Sequence, residues 1–197
     1  MMRSVANGTT PAVKPVIVGM ADMTVSNLAG DTLITYALGS CLGIVVHDAV
    51  AGVAGMLHVM LPSSQIDEAK AKGQPAMFVD TGVPMLFREA YRLGARKERM
   101  TVIVAGGSFS GRTDAEDTFQ IGKRNMLTLR KLLWKNGVLI HAEDTGGVQQ
   151  SRTMSVQVTG GLVQLRTNGV LSVLGPARPA LPLVPSFPSA VAAASSR

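Results

Sequence analysis

The sequence predicts a mixed or antiparallel α+β domain. Of its 197 residues, 46% are apolar, which is enough for one compact core. About ten short β-favouring stretches and two amphipathic helical stretches follow one another along the chain. Most of the predicted strands are adjacent in sequence, which favours a mixed or antiparallel arrangement over alternating βαβ units.

The two ends of the chain depart from this pattern. Residues 1–15 are small and polar, and we expect them to form a flexible lead-in. From Pro176 onward, five prolines alternate with alanines and serines, a composition that cannot build a packed face. The sequence therefore predicts a folded domain over residues 16–175 and a disordered tail over 176–197.

The first half of the domain is predicted to be β-structure. Its stretches of β-favouring residues are separated by turn signals, among them 29–31 and 48–52. The polar segment 62–75 is expected to be a surface loop. The expected strands are 16–20, 23–28, 32–38, 42–47 and 53–61.

The second half combines two helices with further strands. Apolar residues at helical spacing predict a helix over about 81–93, which Asp80 or Thr81 caps and Gly94 ends. A second helix is predicted over about 119–136, with Met126 and Leu129 on its apolar face. The remaining strands are expected at 100–105, 138–142, 152–158, 161–166 and 170–174.

Composition narrows the classes of function. The formal charge is +6, but the basic residues are spread over the two predicted helices, where solvated helix faces explain them. One tryptophan and two tyrosines, without interleaved basic residues, give nucleic-acid binding little support. No run reaches the roughly 18 apolar residues of a membrane span, and the N-terminal residues lack a signal-peptide pattern.

The chain has a single cysteine, which excludes an internal disulfide and a cysteine-built metal site. We expect a reducing cytoplasm, in which this thiol stays free. No spacing of His, Asp and Glu calls for a metal ion, and no cofactor is expected. The turn after the strand at 100–105, Ala105-Gly106-Gly107-Ser108, lacks the lysine of a P-loop and the third glycine of a dinucleotide fingerprint.

That cysteine, Cys41, is the most informative residue. It lies in Leu38-Gly39-Ser40-Cys41-Leu42-Gly43, and His58 follows seventeen residues later in an otherwise apolar run. A thiol attacks as thiolate, and a neighbouring imidazole that accepts its proton makes it a useful nucleophile. Two strands joined by a turn would bring the two residues together. The alternative is that both are ordinary core residues.

Neighbours of Cys41 could complete such a site. Glycines on both sides, Gly39 and Gly43, permit a bend that exposes the sulfur and a close approach of substrate. The backbone N–H groups of Ser40 and Cys41 could then face a developing oxyanion.

A third group should hold the imidazole in its working tautomer. Thr35, Asp48 and Asp144 are all open as candidates, and Asp144 also begins a glycine turn that could contact substrate. His47 and His141 are the competing bases.

Together these residues resemble the CheD family, the chemoreceptor glutamine deamidases of bacterial and archaeal chemotaxis. The resemblance covers about residues 16–166 and rests on six short motifs in the right order. They are Leu38-Gly39-Ser40-Cys41, His58-Val59-Met60-Leu61-Pro62, Asp80-Thr81, Ala105-Gly106-Gly107, Ile121-Gly122-Lys123-Arg124-Asn125 and Ala142-Glu143-Asp144-Thr145-Gly146-Gly147.

The resemblance implies a cysteine hydrolase in which Cys41 is the nucleophile, His58 the base and Thr35 the third member. It implies a fold similar to bacterial toxin-type cysteine deamidases, with a mixed β-sandwich-like core and two or three helices packed outside. Family members convert glutamines of chemoreceptors (methyl-accepting chemotaxis proteins) to glutamate. Some also hydrolyse receptor glutamyl methyl esters, and some bind the phosphatase CheC.

Two loops depart from the family pattern. Ser108-Phe109-Ser110-Gly111 stands where relatives often have a Met-Phe pair, and four residues separate Gly147 from Arg152. These loops and the basic helices motivate an alternative, a non-catalytic adaptor that binds receptors or a CheC-type phosphatase. A redox-sensing thiol is a third possibility, although the chain has no resolving cysteine.

Overall fold

The computed structural model describes residues 14–109, 111 and 117–175 of the chain. These residues form ten strands, two long helices and one short helix. The strands are β1 (Lys14–Ile17), β2 (Asp22–Ser26), β3 (Asp31–Leu38), β4 (Leu42–Asp48), β5 (Val53–Val59), β6 (Thr101–Gly106), β7 (Ala142–Thr145), β8 (Arg152–Gln157), β9 (Val163–Thr167) and β10 (Val170–Gly175). The helices are α1 (Glu68–Gly73), α2 (Val79–Arg92) and α3 (Ile121–Lys135).

Two five-stranded sheets form the core. The first has the order β1-β3-β8-β9-β10 and the second β2-β5-β4-β6-β7. The pairs β1–β3 and β6–β7 are parallel, and the other pairs are antiparallel. The predicted α+β class and the sandwich-like core with helices outside are therefore confirmed.

The second sheet is covered on both faces, which explains why β4, β5 and β6 are buried along their whole length. Side chains at even positions of β4, such as Ile44 and Val46, pack with α2 and α3. Side chains at odd positions, such as Val45, pack against the first sheet. Because strand residues alternate between faces, the layers follow the order sheet, sheet, helices.

The helices begin and end close to their predicted positions. The apolar side of α2 buries Val83, Leu86 and Ala90, and that of α3 buries Leu129 and Leu133. Both sides meet the second sheet in one apolar cluster. Helix α3 thus lies with its N-terminal end near the turn that follows β6, where a Cβ on Gly122 would contact the carbonyl of Gly107.

Three segments differ from the expected elements. The predicted loop 62–75 contains α1, because the Asp67 side chain accepts a hydrogen bond from Lys70 N at 2.9 Å and caps the helix. Strand β7 begins at Ala142, where the predicted strand 138–142 ends, since its partner β6 fixes the register at Ile103. Strand β1 begins at Lys14, and residues 1–13 and the predicted tail 176–197 lie outside the described residues.

No helix within the described ranges is both long and apolar enough to cross a membrane.

Candidate active site

One end of the sandwich gathers the predicted catalytic residues. Strand β3 ends there at Leu38, β4 begins at Leu42, and the three-residue turn between them carries Cys41. Strand β5 approaches its end at the same place, because His58 is paired with Gly43. Gly106, the last residue of β6, is paired with Leu42. Both sheets therefore contribute to this end.

A β-bulge in β3 shapes the approach to Cys41. Thr35 pairs with Met154 of β8, but Leu38 pairs with Arg152, so three steps on one strand match two on the other. Within the bulge, Ala37 has a φ of +57°, a conformation that costs a non-glycine residue energy. The extra residue lets both Thr35 and Leu38 face the space between the sheets.

Thr35 and His58 form the central contact between the sheets at this end. Both are fully buried, and Thr35 Oγ1 lies 2.7 Å from His58 Nδ1. The same hydroxyl donates its single proton to Val18 O at 2.8 Å. Because a hydroxyl has one proton to give, it accepts from the ring, and Nδ1 carries the ring proton. The other nitrogen, Nε2, is then left with a free lone pair.

That nitrogen is placed to act as a base. His58 Nε2 is buried and has no hydrogen-bond partner among the described residues. Burial lowers the pKa of His58 to about 4, because the charged ring would lose its hydration. The imidazole is therefore neutral at physiological pH, which is the form that can accept a proton.

Cys41 shares the face of the sheet to which His58 belongs. It packs against the apolar cluster between the sheets and stays partly exposed. Gly43 pairs directly with His58, and Cys41 precedes Gly43 by two residues. Cys41 is therefore a diagonal neighbour of His58, which lies on the adjacent strand. Burial raises the pKa of the Cys41 thiol, an effect only partly offset by its own backbone N–H. The resting pair is thus a neutral thiol and a neutral imidazole.

Backbone hydrogen bonds fix the turn that carries the thiol. Gly107 N donates to Cys41 O at 2.8 Å, and Ser108 N donates to Gly39 O at 2.9 Å. Gly106 permits this close approach, because a Cβ at that position would collide with Cys41 O. Within the described chain, the N–H groups of Ser40 and Cys41 donate to no backbone carbonyl. They are the donors available to an oxyanion near the sulfur.

Asn125, on the second turn of α3, ties the turn that carries Cys41 to the segment that follows β5. It is fully buried, and its Nδ2 donates to Ser40 O at 3.2 Å and to Met60 O at 3.1 Å. Ser40 precedes the thiol, and Met60 lies two residues after His58. Asn125 therefore holds the segments that carry Cys41 and His58 in register. Sequence reasoning quoted this residue as part of a motif but gave it no role.

The other candidates lie elsewhere. Asp48, at the far end of β4, accepts hydrogen bonds from Arg99 and from backbone N–H groups. These donors keep its pKa below the ordinary value, although burial alone would raise it. His47 contacts Val158 O at 3.1 Å, and His141 accepts from Val102 N. Each of these side chains has a structural partner, and among the described candidates for the third residue only Thr35 is hydrogen-bonded to the His58 ring.

Asp144 is engaged by Arg152 rather than directed at His58. The buried Arg152 donates to the Asp144 carboxylate at 2.8 Å, to Gly146 O at 3.0 Å and to the Gln150 side chain at 2.7 Å. This connects β7 to β8 and shapes the glycine turn between them. Asp144 thus borders the catalytic end of the sandwich from the far side of β6.

The residues that the structure describes include no group of three His, Cys, Asp or Glu side chains that could hold a metal ion.

Comparisons with known proteins agree with the motifs. Residues 60–167 match the family model described as CheD chemotactic sensory transduction. A protein of Syntrophus aciditrophicus (strain SB), named "Probable chemoreceptor glutamine deamidase CheD 1", is 47% identical over 154 residues, which are 78% of this chain and 94% of the relative. A "Probable chemoreceptor glutamine deamidase CheD" of Solibacter usitatus (strain Ellin6076) is 42% identical over 165 residues, 84% of this chain and 96% of the relative.

An archaeal relative extends the range of this similarity. A protein of Pyrococcus abyssi (strain GE5 / Orsay) with the same name is 38% identical over 149 residues, which are 76% of this chain and 89% of the relative. The similarity thus spans nearly the full length of relatives from distant organisms and confirms the resemblance seen in the short motifs. The chain belongs to the CheD family.

Proposed function

We propose that this protein converts glutamine side chains of chemoreceptors to glutamate and releases ammonia. Its relatives are named chemoreceptor glutamine deamidases. The observation that carries the proposal is the contact between Thr35 Oγ1 and His58 Nδ1, which leaves Nε2 unprotonated. His58 is a diagonal neighbour of Cys41 on the adjacent strand. A fixed base and a single partly exposed thiol are the two groups that amide hydrolysis through a thioester requires.

In the first half-reaction, His58 Nε2 accepts the thiol proton while Cys41 Sγ attacks the carboxamide carbon. The carbonyl electrons move to oxygen, and the backbone N–H groups of Ser40 and Cys41 stabilise that oxyanion. His58 then gives its proton to the amide nitrogen. The C–N bond breaks, ammonia leaves, and a glutamyl thioester remains on Cys41.

In the second half-reaction, His58 Nε2 accepts a proton from water, and the hydroxide attacks the thioester carbon. The C–S bond breaks, the sulfur takes back the proton from His58, and glutamate is released. The resting thiol needs no ion pair with His58, because proton transfer and attack occur together when substrate is bound. This fits a site in which both groups are neutral at rest.

The same thioester would form from a glutamyl methyl ester, with methanol leaving in place of ammonia. We include this hydrolysis in the proposal, since only the leaving group differs. The cytoplasm is the proposed compartment, and the domain of residues 16–175 is the proposed catalytic unit. A CheC-type phosphatase is a proposed partner, and co-elution of the purified proteins would test it.

Ammonia release from a purified receptor cytoplasmic fragment tests the reaction. We expect release with the wild-type protein and none above background with Cys41→Ala, while thermal unfolding shows that the variant still folds. A Cys41→Ala protein that releases ammonia at the wild-type rate would remove the mechanism. Receptor binding without any release by the wild type would favour the non-catalytic adaptor.

A further inference from the structure

The exposed side of α3 carries an unusual combination of side chains. Trp134, the single tryptophan of the chain, is 80% exposed, and Leu127 is 59% exposed. Arg124, Lys131 and Lys135 lie on the same side, because these five positions fall within about 100° of the helix circumference at 3.6 residues per turn. We call these five residues the α3 face.

All the charged side chains of the α3 face are basic. Helix α3 contains five basic residues and no acidic one. Arg130, beside the face, is paired with Glu143 at 2.6 Å. In contrast, Arg124, Lys131 and Lys135 have no acidic partner within the described residues. An exposed tryptophan and leucine among unpaired cations are typical of a protein-binding surface.

The α3 face begins at the catalytic end of the sandwich. Arg124 adjoins Asn125, whose side chain binds the carbonyl next to Cys41. From Arg124 to Lys135 the helix extends about 16 Å at 1.5 Å per residue. A helical segment bound along this face would therefore have one end beside the N-terminal part of α3, where Asn125 binds Ser40 O.

We propose that the α3 face docks an acidic segment of the chemoreceptor's cytoplasmic helices and so presents a neighbouring glutamine to Cys41. This inference rests on the proposed function. The charge is complementary, because each completed deamidation leaves a new carboxylate on the receptor. Trp134 and Leu127 would supply the apolar contact, and the three unpaired cations would favour acidic partners.

Fluorescence of Trp134 measures this binding directly. The titration uses Cys41→Ala protein, which cannot turn over, and a receptor cytoplasmic fragment without tryptophan. We expect the emission to shift to the blue as Trp134 becomes covered, and the affinity to fall as salt rises. Lys131→Glu should weaken binding about three- to tenfold, from reversal of one surface charge. The matched control is Arg166→Glu, an exposed residue of β9 in the other sheet, which should change binding less than twofold.

Measurements of kcat and KM then distinguish the docking proposal from the catalytic proposal. With Cys41 intact, Lys131→Glu and Trp134→Ala should raise KM for the receptor more than they lower kcat. If the wild type deamidates the receptor and both variants match it, the docking proposal is overturned and the catalytic one stands. If the receptor covers Trp134 but the wild type never deamidates it, the surface is supported and the catalytic proposal fails. A blue shift with anionic lipid vesicles and none with the receptor would instead overturn receptor docking.

Discussion

The Asn125 side chain holds the carbonyl oxygen of Ser40 at 3.2 Å, and through this bond helix α3 fixes the residue that precedes the thiol. The same amide group binds Met60 O at 3.1 Å. A buried side chain thus connects the turn that carries Cys41 to the strand that carries His58. We infer that the relative position of Cys41 and His58 depends on this connection.

Replacing Asn125 by leucine should therefore lower kcat more than it raises KM. A misplacement of about 1 Å can cost on the order of 100-fold in rate, and we expect a loss of at least tenfold. Two partly buried carbonyls also lose their donor, so the free energy of unfolding should fall by about 1–3 kcal/mol. Deamidation kinetics and chemical denaturation provide the two measurements.

The matched control for Asn125 is Asn136→Leu, at the residue that caps the C-terminal end of the same helix. Asn136 is exposed, and its Nδ2 donates to Leu132 O at 2.8 Å. Its replacement should leave kcat within twofold of the wild type. The rate of alkylation of Cys41 as a function of pH distinguishes positioning from general destabilisation, because only Asn125→Leu should change it. Identical profiles for the two variants would contradict the positioning role.

Removal of the Thr35 hydroxyl should disable the base without emptying the site. In Thr35→Val, nothing accepts the Nδ1 proton of His58, so the ring is free to adopt the other tautomer and to turn. We expect kcat to fall about 100-fold, at the lower end of what a general base contributes. Thr35→Ser keeps the hydroxyl and should retain most of the activity. Equal rates for Val and Ser variants would show that this hydroxyl does not orient the base.

Because β6 closely approaches the turn that carries Cys41, we expect the free energy of unfolding to be sensitive to a side chain at Gly106. Gly106 has a φ of +111°, and a Cβ there would collide with Cys41 O. Gly94 has a similar φ of +94°, but a Cβ there meets nothing within 4 Å. Gly94→Ala should cost about 1–2 kcal/mol from backbone strain alone. Gly106→Ala should cost at least about 1 kcal/mol more, from overpacking against the turn, as measured by urea denaturation.

Because the pKa of His58 is low in the folded state, the free energy of unfolding should depend on pH. Its folded pKa is about 4, below the ordinary value of 6.5 that we expect in the unfolded chain. Between these values the unfolded state binds more protons, so stability falls as the pH falls through this window. From pH 7 to pH 4.5 the loss from this ring should be about 2–3 kcal/mol. The pH dependence of unfolding of His58→Gln should be weaker than that of the wild type by this amount, and equal slopes would contradict it.

Much of this arrangement could be predicted from the sequence because it depends on local patterns. Stretches of β-favouring residues bounded by turn signals located β3, β4 and β5, and the turn between β4 and β5 allowed Cys41 and His58 to come close. The fold class followed from strands that are adjacent in sequence. Family motifs then favoured Thr35 over Asp48 and Asp144 as the partner of His58.

The features that could not be predicted depend on contacts between distant segments. The bulge at Ala37 depends on the pairing of β3 with β8, in which Leu33 pairs with Val156, 123 positions later (156 − 33), and no local pattern reports that pairing. Asn125 has an ordinary position on a helix, and only the packing of α3 reveals its two acceptors. The contact between Asp144 and Arg152 joins β7 of one sheet to β8 of the other, so it too depends on how the two sheets pack.

Peptide mapping by mass spectrometry of a receptor cytoplasmic fragment tests the central claim most directly. We expect wild-type protein to convert specific glutamines to glutamate, and Cys41→Ala and His58→Gln to leave the same glutamines unconverted while both variants remain folded. Conversion of those glutamines by the Cys41→Ala protein, or a receptor left unchanged by the wild type, would contradict it.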